Sequence, residues 1–281
     1  SCTVISTVCR STKAAGSRRW ILPNDEAGVA SRTKRTRRLR LVIAYDGSGF
    51  RGWQSQAHGA TVQDCLEQAF ASVAGERIRV HGAGRTDSGV HALGQCAHAD
   101  VPAGRLTAAT WLKALNALLP PQVRVLKGRF VAATFHARFE ARGKVYRYRL
   151  TTTPVLSPFE RGRAWHVMKQ LDEVKLRAAA ALFVGKHDFA GFTANRGQPP
   201  TSTTRTIHRI RVRHTAALTT IDFAGDGFLY KMVRLLTGAI VRCATGSESL
   251  NQIKQRLDYP SENGTRLVAP AEGLTLVRVR Y

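Results

Sequence analysis

The stretch HGAGRTDSGVHALGQ, residues 81–95, holds the residue types of this chain best suited to chemistry. Asp87 stands two residues after Arg85, among glycines at 82, 84 and 89, in a chain with 19 acids against 43 Lys and Arg. A carboxylate set among cations can act as a nucleophile or as a general base. Asp87-Ser88-Gly89 is also an ordinary turn sequence. Gly82 and Gly84 permit positive φ and the close approach of a backbone or a nucleotide. The pattern is no dinucleotide fingerprint, because Asp87 stands where the third glycine belongs, and it lacks the Gly-Lys-Ser/Thr of a phosphate loop. His91, Cys96 and His98 are close enough in sequence to raise a metal site. No second ligand pair at zinc spacing follows, so a half-buried strand is the expectation and no metal ligand is assigned.

Composition defines the partner. The chain has 281 residues and a formal net charge of +24, with a sequence pI near 11.1. Such an excess favours a polyanion, since each phosphate neutralised releases counterions. RNA leads. An anionic membrane surface is the weaker partner, as no helix pairs a basic face with an aromatic-rich one. No apolar run approaches the ~20 residues of a membrane span, so no membrane partner is expected. The cysteines at 2, 9, 65, 96 and 243 form no C-x-x-C pair, which points to a reducing compartment.

Residues 1–38 stand apart as a basic arm with nine Lys or Arg, two acids and many Ser and Thr. That composition resembles an organelle transit segment, and a mitochondrial address is the expectation. A nuclear signal in KRTRR (34–38), or a cytoplasmic chain whose arm adds RNA affinity, is the alternative.

The elements that must position Asp87 follow from periodicity. Leu39, Leu41, Ile43 and Tyr45 alternate as a strand face, and a helix capped by Thr61 and Asp64 runs from Val62 to Gly75. Strands are expected at 77–82, 92–100 and 123–132, with a helix at 107–118. The second half repeats this grammar. It has strands at 144–151, 205–214, 218–225 and 274–280, and helices at 172–185, 228–242 and 249–257. The fold class is α+β: two similar lobes of mainly antiparallel sheet with helices, 39–140 and 141–281, joined around a central cleft.

AGRTDSGVHALGQ resembles the catalytic signature of the tRNA pseudouridine synthase A (TruA) family. The resemblance extends in order through YDGSGFRGWQ (45–54), TVQDCLEQAF (61–70), FHARFEARGKVYRY (135–148), GKHDFAGF (185–192), GDGFLYKMVRLLTG (225–238) and APAEGLTLVRV (269–279). It implies an isomerase that detaches uracil from C1′ of a ribose, turns it and rejoins it through C5, with no cofactor or metal. Asp87 matches the catalytic aspartate, Arg234 the arginine that pairs with it, and Tyr146 the tyrosine that stacks on uracil and serves proton removal from C5. Without the resemblance, Arg234 reads as a surface arginine and Tyr146 as a core residue. Arg85 matches the residue that fills the space left by an everted nucleotide, with Gly84 and Thr86 beside it.

Wider RNA contacts are assigned to Arg51 and Trp53, with Trp53 as readily core. Phe228 and Leu229 are placed as walls of the uracil pocket or as packing at a helix start. Arg209, Arg211 and Arg213, preceded by Arg205, form a basic strand row or a solvated edge. The resemblance implies a homodimer acting on tRNA; the sequence itself leaves rRNA open as the alternative substrate. The competing reading is a structural or assembly factor on a ribosomal or mitoribosomal particle, binding RNA without turnover.

Overall fold

The computed structural model describes residues 35–104, 106–194, 201–215, 217–260 and 267–281. Strand β1 (Thr36–Tyr45) leads into helix α1 (Val62–Ala74), β2 (Val80–Gly82), β3 (His91–Pro102), α2 (Ala108–Leu118) and β4 (Val123–Val131). Then come β5 (Gly143–Thr151), β6 (Trp165–His166), α3 (Glu173–Ala181), β7 (Gly185–Asp188), β8 (Thr204–His214) and β9 (Thr219–Gly225). Helices α4 (Met232–Ala244) and α5 (Leu250–Asp258) and strand β10 (Leu274–Arg280) complete the order.

Local rules explain most of these elements. Leu39, Leu41, Ile43 and Tyr45 are buried along one face of β1, as their alternation requires. Thr61 caps α1 by accepting from the Asp64 amide, and Gly75 ends it in the left-handed region at φ 71°. Ser249 and Gln252 form a reciprocal capping box on α5.

The two halves of the described chain share one sheet in the order β4-β1-β3-β10-β5-β9-β8-β7, with β2 added to β3 and β6 to β5. The last strand is the seam: β10 runs parallel to β3 at Thr275–His91 and antiparallel to β5 at Leu276–Tyr146. The α+β class and its mainly antiparallel pairing are as expected. Residues from both halves join one main core on the helix-bearing face, from Leu41 and Phe70 to Phe223 and Leu236.

Four expectations need correction. Strand β2 starts at Val80 rather than 77, because side chains of α1 take the Val80 backbone: Glu67 accepts its N–H at 3.0 Å and Gln63 donates to its carbonyl at 3.2 Å. Helix α3 stops at Ala181, after which Phe183 turns into the core and Gly185, at φ 120°, opens β7. Helix α4 starts at Met232, not 228, because Lys231 sits in the left-handed region at φ 57°. The alternation in β8 is broken by a bulge between Ile207 and Arg209, which reverses the faces on either side of it.

Candidate active site

Asp87 sits where the loop after β2 crosses toward α4. The loop is held from beneath. The Trp53 amide donates to the Thr86 carbonyl at 3.1 Å, Tyr45 Oη pairs with Thr86 Oγ1 at 2.8 Å, and the Val90 amide donates to the Asp87 carbonyl at 3.1 Å. Gly52 has φ 94°, and a Cβ there would lie 2.6 Å from the Thr86 carbonyl oxygen. The glycines of the loop work differently from expectation. Gly82 and Gly84 do not adopt positive φ; they admit close neighbours, the Trp53 ring and the Lys144 ammonium, each 2.5 Å from where a Cβ would stand.

Arg234, in the first turn of α4, donates from Nη1 to Asp87 Oδ2 at 3.3 Å and from Nε to the Ala269 carbonyl at 2.7 Å. Both side chains are largely buried, 14% and 17% exposed. Tyr146 lines the same cavity and stands edge-on to Phe228, with ring centroids 5.2 Å apart. Burial, with Tyr45 and the Asp87 carboxylate nearby, pushes its phenol far above the ordinary range, so it is protonated at neutral pH. The cavity holds about 730 Å³, room for a nucleotide. Among the described residues its walls carry Arg77, Arg79, Arg85, Arg138, Lys144 and Lys231 against Glu67 and Asp87, a charge balance that attracts an anionic strand.

The structure therefore brings together Asp87, Tyr146, Arg234, Arg85, Gly84, Phe228 and Leu229. Phe228 and Leu229 lie in the loop before α4, not at a helix start. Thr86 is buried and spends its hydroxyl on Tyr45, so it fixes the loop rather than offering a contact. Trp53 is 2% exposed against Tyr45 and Gly82, so it packs as core beneath the cavity it helps to line. Trp53→Ala is expected to lower unfolding free energy in urea by about 3–5 kcal/mol. A loss below about 1 kcal/mol would contradict the core assignment.

Other candidates lie outside the cavity. Arg51 is exposed on the neighbouring loop. Arg205 is half-buried and folds back onto the Ser202 and Thr204 carbonyls, at 3.0 and 2.6 Å. The bulge separates it from Arg209, Arg211 and Arg213, which project from the sheet face opposite the helices. There Arg213 pairs with Asp222 at 3.1 Å, and Asp222 also accepts from Arg147. His98 accepts from the Ala137 amide and stacks on His81, and burial lowers its imidazole to about 4. Among the described residues, no group of three or more His, Cys, Asp or Glu is arranged to hold a metal ion.

Sequence reasoning missed a relay behind Arg85. Its Nε donates to Gln54 at 3.1 Å, Gln54 donates to Gln63 at 2.8 Å, and Gln63 donates to Glu67 at 2.8 Å. Gln63 and Glu67 are buried on α1, so the relay ties an exposed guanidinium to the helix. Lys144 was missed too, though its place two residues before Tyr146 in a strand puts both on one face.

The sequence model of the tRNA pseudouridine synthase family matches residues 41–140 and 179–281, more than half of the chain. The chain belongs to that family. It is 45% identical over 251 residues to tRNA pseudouridine synthase A of Akkermansia muciniphila, covering 87% of this chain and 95% of that one. It is 48% identical to the protein of the same name from Solidesulfovibrio magneticus, covering 87% and 91%. The Methylacidiphilum infernorum protein of that name is 42% identical, covering 86% and 94%.

Proposed function

We propose that this chain converts uridine to pseudouridine in tRNA, with Asp87 as the group that acts on the ribose. The observation carrying the reading is the buried Asp87–Arg234 pair, set beside Tyr146 in a cation-lined cavity. A uridine stacked in a stem-loop is out of reach, so the nucleotide must turn out of the helix at a cost of a few kcal/mol. Arg85, exposed and aimed by its relay to α1, fills the space left behind; a planar guanidinium can stack there and bind phosphate.

Two routes balance. In one, an Asp87 oxygen bonds to C1′ as the N1–C1′ bond breaks and uracil leaves with the electron pair on N1. The uracil turns, C5 bonds to C1′ and displaces the carboxylate, the C5 proton is removed, and N1 regains a proton. In the other, Asp87 takes the C2′ proton as the N1–C1′ bond breaks, leaving a glycal-like C1′=C2′ intermediate and uracil with the electron pair on N1. C5 then bonds to C1′ as the proton returns to C2′, the C5 proton is removed, and N1 regains a proton. Both are redox-neutral isomerisations. Tyr146 stacks on the turned uracil with Phe228 as the edge-on wall. Its phenol is protonated, so it takes the C5 proton only while passing its own on.

A homodimer, residence in a larger ribonucleoprotein particle and an organelle address belong to the same proposal, with rRNA as the alternative substrate. Only the composition of residues 1–38 supports the address, and all but 35–38 of that arm lie outside the described residues. The decisive experiment is release of tritium from tRNA labelled at C5 of uridine. Release in step with pseudouridine formation is expected. No release from tRNA or rRNA by the folded protein would replace the enzyme with an RNA-binding scaffold.

A further inference from the structure

Lys144 has no part in the steps above, yet it lines the same cavity. Its ammonium rests on the backbone of the Asp87 loop: a Cβ on Gly84 would lie 2.5 Å from Nζ. Arg138, of like sign, lines the cavity with it. No carboxylate of the described residues forms an ion pair with Lys144. The acids of the cavity are engaged elsewhere, Asp87 with Arg234 and Glu67 with Gln63 and the Val80 amide. Burial and the Arg138 charge pull the ammonium down to about 8, still protonated at neutral pH. A half-buried cation beside a second cation calls for a formal negative charge, which a uracil carbonyl lacks and a phosphate supplies.

We propose that Lys144, with Arg138 beside it, binds an RNA phosphate adjacent to the everted uridine and thereby sets the position of the ribose over Asp87. This rests on the reading of the chain as a pseudouridine synthase. Lys144 is then a positioning residue: the loop that carries Asp87 and the phosphate next to the reacting sugar meet at one ammonium. Gly84 is needed because any side chain there would occupy that meeting point.

The test uses the full chain and a stem-loop RNA containing the mapped target uridine. Lys144→Met is expected to raise KM about tenfold and to lower kcat less than about threefold. It also reduces the slope of log Kd against log salt by about 0.7–0.9, one phosphate contact. Lys144→Arg restores most of the loss. A methylphosphonate at one phosphate flanking the uridine weakens the parent by a similar factor and does not weaken Lys144→Met further. A fall in kcat at unchanged KM, or additive losses from variant and methylphosphonate, overturns the proposal. If Lys144→Met does not fold, the methylphosphonate series on the parent decides: no sensitive phosphate means no such subsite. Tritium release by the parent keeps the two ideas apart, since release without a sensitive phosphate sinks only this one.

Discussion

Asp87→Asn is expected to cut tritium release from C5-labelled tRNA by more than about a thousandfold while leaving RNA affinity at least as strong as the parent's. The loss follows from the chemistry, because an amide oxygen is too weak a nucleophile or base for either route at C1′. The retained affinity follows from the geometry. Asparagine has the shape of aspartate, and its oxygen can still accept from Arg234 Nη1, which lies 3.3 Å from Asp87 Oδ2. Arg234 also keeps its bond to the Ala269 carbonyl. Removing one of the two acids among the cavity's cations favours the polyanion. The paired measurement is single-turnover tritium release and a binding isotherm at fixed salt. Equal turnover would remove Asp87 from the mechanism. A parallel collapse of binding would show that the substitution had damaged the loop, not the chemistry.

What the sequence made legible is what short-range physics determines. The alternation of Leu39 to Tyr45 and the Thr61 and Gly75 caps of α1 lie within a few residues of their causes, and the structure bears them out. The rest depends on contacts the chain does not announce. Lys231 takes a left-handed conformation no lysine signals, and that turn carries Phe228 and Leu229 into the cavity. The bulge after Ile207 places Arg205 and Arg209 on opposite faces, although their spacing reads as one row. The continuous sheet depends on two parallel pairings, Thr275–His91 and Leu276–Ala92, between opposite ends of the chain. Gln63 and Glu67 are buried on α1 against the Val80 backbone, a partner 17 and 13 residues away. Within the site, the grouping of Asp87, Arg234 and Tyr146 came from the resemblance, not from periodicity. Lys144 shares its strand face with Tyr146 by alternation alone, but alternation does not say that this face lines a cavity.

Arg234 supplies the second large effect, and its two contacts say why. One hand of the guanidinium reaches Asp87, while Nε holds the Ala269 carbonyl; the Ala269 amide donates back to the Arg234 carbonyl at 3.2 Å. Arg234 therefore ties the Asp87 carboxylate to the segment that leads into the seam strand β10. Arg234→Met is expected to lower single-turnover release by about 10²–10³-fold, since a carboxylate misplaced by an ångström forfeits about a hundredfold. It should also lower unfolding free energy by about 1–3 kcal/mol, as a largely buried carbonyl and carboxylate lose a charged donor. Arg234→Lys keeps the charge but has no fork to span both acceptors, so turnover falls about tenfold or more with most of the stability retained. The double variant Asp87→Asn/Arg234→Met decides between mechanisms. If Arg234 acts through Asp87, the pair turns over no more slowly than Asp87→Asn alone. Losses that multiply would mean Arg234 touches the substrate by itself, and the carboxylate would then owe its placement to the loop.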